Sequence, residues 1–152
     1  MIRAIDKVTQ ILREHSPKAI QSHRLKLEEQ KQEWDNCRTL VDEVKKDFIN
    51  IVERELKKRL DENPMFTKNM HLDIMPIPDA VIEEHIRTNG HISISFSKVP
   101  MLQELVNLAK QEGLEPFISH WDSETPGKKY DAIFQVTIPD NVYRLLNLDQ
   151  YS

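Results

Sequence analysis

Three histidines, His71, His91 and His120, begin or end segments that read as strands, and Asp73 lies two residues from His71. Three imidazoles and a carboxylate are the donor types of a zinc or iron site, provided that they converge on one ion. Their spacing matches no compact metal motif, so neither a metal nor a cofactor is expected. Cys37 is the one cysteine. A nucleophilic thiolate needs a lowered pKa and a nearby base. Cys37 instead sits inside a long helical pattern, at a position that suits a small packing residue. Glu83 and Glu84 are adjacent on a helix and point apart, so they form no acid–base pair. The three glycines stand alone at 90, 113 and 127, which leaves no glycine-rich phosphate loop. No catalytic residue is assigned, and a non-enzymatic protein is expected.

One polar surface stands out. His91, Ser93, Ser95 and Ser97 alternate along a strand, and Gln135 and Thr137 are placed to share their face. Such a face is either a flat binding surface or the solvated side of an antiparallel sheet.

The elements that would carry these residues emerge from periodicity. Ile2, Ile5, Val8, Ile11 and Leu12 recur at helical spacing and predict a first helix over 2–14. Ser16 and Pro17 suit the cap and first turn of a second helix. No Pro or Gly occurs between Pro17 and Pro64, so that helix can run to about 61. Within it Ile20, Leu27, Trp34, Val41 and Phe48 recur every seven residues. The matching second positions of the heptad are His23, Gln30, Cys37, Val44 and Ile51. The C-terminal half of this stripe is dry and predicts packing on the protein's own domain. The N-terminal half is wet at His23 and Gln30 and predicts a thinner seam to a partner or to the first helix. Ile20, Leu27, Trp34 and Val41 are the expected interface residues. A break near Asp35-Asn36 would convert the long helix into a hairpin, and both forms fit the pattern.

Asp61-Glu62-Asn63-Pro64 stops the helix. The expected organisation is a helical region over 1–63, a linker over 64–70 and a small α+β domain over 71–152. In that domain, strands are predicted at 71–77, 91–97, 115–121 and 130–138, and helices at 79–89, 100–112 and 140–147. Pro76 marks the first strand as an edge, and Pro126-Gly127 suits the centre of a type II turn. The expected fold class is α+β. A long N-terminal helix or helical hairpin is followed by a small four-stranded sheet with two to three packed helices.

Composition narrows the function. A hydrophobic fraction of 39% with 30% charged residues lies on the polar side of the usual balance, about 45–50% and about 25%. Long exposed helices account for that. Residues 1–68 carry 15 Lys/Arg and 13 Asp/Glu, and residues 69–152 carry 6 and 12. The acidic C-terminal half argues against broad contact with a phosphate backbone. A lone cysteine, the lack of a leader-like start and the lack of any run near ~18 apolar residues point to a cytoplasmic protein, or to a particle assembled there, with no membrane contact.

Residues 100–138 resemble the first half of a double-stranded-RNA-binding domain. The likeness rests on Pro100-Met101-Leu102-Gln103-Glu104-Leu105, Glu115-Pro116-Phe117, the Pro126-Gly127-Lys128-Lys129 loop and the strand Phe134-Gln135-Val136-Thr137-Ile138. It covers a quarter of the chain. The family's third strand and Lys-rich helix are missing after residue 138, and that basic helix would grip the phosphates. The resemblance implies nucleic-acid binding, the alternative expectation. Independently of it, the clustered cations Lys57, Lys58 and Arg59, with Lys45 and Lys46 before them and Lys128 and Lys129 on the loop, would supply the phosphate contacts. The leading expectation is a structural, assembly or interaction protein that associates with itself or with a protein partner through its N-terminal helices. A subunit of a large particle such as a phage virion is one such role.

Overall fold

The computed structural model describes residues 2–62, 70–89, 99–128 and 130–147. Two helices lead the chain, α1 over Ala4–His15 and α2 over Pro17–Glu62. Asp6 reaches back to accept a hydrogen bond from the Arg3 backbone N–H at 3.3 Å, which closes the first turn of α1. Ser16 alone separates the helices. Its carbonyl accepts the Ile20 N–H at 3.0 Å, as the residue before a first helical proline does. The 46 residues of α2 are helical throughout, so Asp35-Asn36 does not break it and the hairpin form is not adopted.

The chain divides into two compact units, one ending at Asn36 and the other beginning at Cys37. In the first unit no described residue is buried. In the second, the dry half of the stripe goes inward: Cys37, Val41, Val44, Phe48 and Ile51 are the buried residues of α2. Their alternating spacings of four and three keep one narrow face toward the core.

The rest of the second unit is β1 (His71–Pro76), α3 (Asp79–Asn89), α4 (Pro100–Gln111), β2 (Glu115–Asp122), β3 (Tyr130–Thr137) and α5 (Asp140–Leu145). The described strands form a three-stranded antiparallel sheet in the order β1-β3-β2. The predicted strand over 91–97 and all of the 64–70 linker but Met70 lie outside the described residues, so the sheet described has three strands where four were expected. Among the described residues β1 pairs with β3 alone.

A bulge between Asp73 and Met75 shifts the β1–β3 register. Ile74 and Met75 are consecutive, yet both are buried, because the extra residue lets two neighbours face the core. From β3, Ala132, Phe134 and Val136 point the same way, and Ile118 joins them from β2. Helix α3 packs against β3, and α4 packs against β2. They supply Val81, Ile82 and His85, and Met101, Leu102, Leu105 and Ala109, to one interior. The β2–β3 connection turns through Pro126-Gly127, with Gly127 at φ +81° and the Lys128 N–H donating to the Thr125 carbonyl at 3.2 Å. A type II turn requires that positive φ.

Candidate interaction surface

The apolar residues at and just before α1 are exposed. Ile2 is 73% exposed, Ile5 59% and Leu12 50%. Val8 and Ile11 lie open on the same helix, and α1 has no buried residue at all. A spacing that would bury one face of a surface helix here buries none. In the first unit's part of α2, Leu25 and Leu27 are each about half exposed, while Ile20 and Trp34 are half-buried. The predicted interface residues therefore separate. Ile20, Leu27 and Trp34 lie in the unit without a core. Val41, 1% exposed, is inside the core of the second unit.

Polar side chains flank the inward half of the stripe. Arg38 grips the Glu104 carboxylate of α4 with both terminal nitrogens, Nη2 at 3.0 Å from Oε1. Lys45 donates to the same carboxylate at 3.1 Å. Arg38 also binds Asp42 one turn along, Nε to Oδ1 at 3.1 Å. These donors hold the Glu104 carboxyl down at about 2, with Arg38 the larger cause and Lys45 the smaller. Glu104 and Asp42 in turn raise the Arg38 guanidinium. Sequence reasoning missed this cluster, since Arg38 and Glu104 are 66 residues apart and no local pattern joins them.

The outer face of the sheet carries a second set. Rows across the strands align His71 with Thr137 and Glu115, and Asp73 with Gln135 and Phe117. His71 Nδ1 and Thr137 Oγ1 lie 2.8 Å apart in a hydrogen bond. The His71 ring stacks on Phe117 with centroids 4.5 Å apart, and the Gln135 amide donates to Asp73. Gln135 and Thr137 are thus hydrogen-bonded to Asp73 and His71 of the neighbouring strand. Trp121, on the same side of β2, is 45% exposed. The strand residues His91, Ser93, Ser95 and Ser97 lie outside the described residues.

Comparison with protein-family models, with curated proteins and with solved structures finds no match.

His91 lies outside the described residues, and the two described strand-end histidines do not gather. His71 pairs with Thr137 and His120 with Ala132 on β3. Five residues of strand, about 17 Å, separate those two rows. Among the described residues no group of three or more His, Cys, Asp or Glu could hold a metal ion. Cys37 is buried. Among the described residues no helix is long and apolar enough to cross a membrane. The cations named for nucleic acid are largely engaged. Lys57 binds Glu53 at 2.7 Å, and Arg59 donates to the His71 carbonyl at 2.8 Å. Lys128 bridges Asp131 and Asp79, whose carboxylates raise its pKa, Asp131 the more. Lys58 is exposed. Lys129 lies outside the described residues. The αββ order of the resemblance is present as α4-β2-β3. The next element, in place of a basic helix, is the six-residue α5 with one Arg and one Asp.

Proposed function

We propose that this is a non-enzymatic assembly or interaction protein that binds protein partners through its N-terminal helices. One observation carries the reading. Residues 2–36 form two helices with no buried side chain, yet seven large apolar residues there are 45–73% exposed. Fully burying one such side chain contributes about 1.5–3 kcal/mol. A partner that covers several of them therefore gains enough to hold a complex. A subunit of a larger particle, of which a phage virion is one kind, is a setting suited to such a chain. The nucleic-acid alternative has less support, because Lys57 and Lys128 already answer carboxylates of their own chain.

The test is the mass of the full chain by light scattering at tens of micromolar, with and without an added amphipathic helix. Two results support the reading. One is a defined oligomer that Ile5→Asp with Leu12→Asp returns to the 17.9 kDa monomer. The other is a monomer that captures the added helix. A monomer that captures no helix and no apolar dye overturns it.

A further inference from the structure

The heptad register of α2 places a cation on the same flank of the stripe four times running: Arg24, Lys31, Arg38 and Lys45, seven residues apart. These are the positions that face a partner helix across a coiled-coil seam. In the second unit the protein shows how that flank is satisfied. The stripe from Cys37 to Ile51 is buried. Arg38 and Lys45 both close on Glu104, a carboxylate beside the apolar face that Met101, Leu102, Leu105 and Ala109 form on α4. In the first unit the same register continues with Ile20, Leu27 and Trp34 on the stripe and Arg24 and Lys31 on the flank. Both cations are exposed.

We propose that the seam Ile20–Leu27–Trp34 receives an amphipathic helix from a different protein, one whose flanking positions are acidic as Glu104 is on α4. This rests on the reading of the N-terminal helices as the binding region and names the partner's chemistry. A second copy of this chain is the poorer occupant. Parallel self-pairing sets Lys26, on the other flank, against Lys31 of the second copy. Antiparallel self-pairing sets Arg24 and Lys31 against one another on one flank, a repulsion offset only by Lys26 meeting Glu33 on the other, whereas an acidic helix answers Arg24 and Lys31 directly. Like charges across a seam oppose pairing, and opposite charges select the partner.

The experiment titrates the full chain with three synthetic three-heptad peptides. The first has Leu on the seam and Glu on both flanks, the second has Leu with Lys, and the third has Ser with Glu. The expected result is binding of the first alone. Arg24→Glu with Lys31→Glu should weaken it by about tenfold or more and admit the Leu/Lys peptide. These residues are exposed and outside the core, so circular dichroism and thermal midpoint should be unchanged. Equal binding of the two Glu peptides overturns the proposal, because charge alone would then suffice. Equal binding of the two Leu peptides overturns it too. Where no peptide binds, the proposal falls, and the mass separates two cases. An oligomer that Leu27→Asp dissolves leaves association through the N-terminal helices standing with a second copy as occupant. A monomer removes both.

Discussion

Glu104 is the residue on which the two parts of the second unit's charge pattern meet. Its carboxyl moves from the ordinary 4.5 to about 2 through Arg38 and then Lys45. A folded-state pKa below the unfolded one adds stability that is present above the unfolded value and lost as pH falls toward the folded one. The contribution should therefore be complete above about pH 5 and fade between 4.5 and about 2. Glu104→Gln should cost about 1 kcal/mol at neutral pH, since the cluster is partly solvated and bidentate. It should also flatten the stability curve in that acid window. Urea unfolding of both chains from pH 7 to 2 checks this. An equal acid slope in the two would mean that other carboxylates carry it. Asp42 and Asp131, lowered by Arg38 and Lys128 respectively, contribute with the same sign and remain in the variant.

At the scale of elements, the β2–β3 turn and α1 make opposite predictions. Gly127 has φ +81° and open space where a Cβ would sit. Gly127→Ala should therefore cost only the backbone penalty, about 1 kcal/mol, and lower the midpoint by about 2–4 °C. Asn, which tolerates that region better, should lose less; differential scanning calorimetry distinguishes them. In α1, by contrast, Ile5→Asp with Leu12→Asp should leave the midpoint of the isolated chain unchanged, because neither side chain is buried. These elements were legible for definite reasons. Pro17, Pro64 and Gly113 punctuate the chain, and periods of 3.6 and 2 separate helices from strands. The bulge at Ile74 was not legible. His71-Leu72-Asp73-Ile74 alternate, so Met75 would face outward in a regular strand, and only the register shift in the pairing with β3 lets Ile74 and Met75 both turn in.

For the whole molecule, burial is uneven along one continuous helix. The amides of α2 over 41–51 lie beside buried side chains, whereas those over 17–36 have none. Hydrogen exchange of the full chain without a partner should show the first set at least about tenfold slower than the second. A saturating acidic helix should narrow that gap. Equal protection without a partner would mean that the N-terminal part of α2 is held by its own chain. The sequence by itself determined the helical N-terminus, the α+β class, the turn at Pro126-Gly127 and the division of the heptad stripe into wet and dry halves. Each of these depends on the type and spacing of neighbouring residues. Tertiary structure alone decided that α2 does not break, that Val41 belongs to the core and that Glu104 answers Arg38 and Lys45. It alone locked His71 and Asp73 to Thr137 and Gln135. Those contacts join residues more than fifty positions apart, where chain distance carries no information about distance in space.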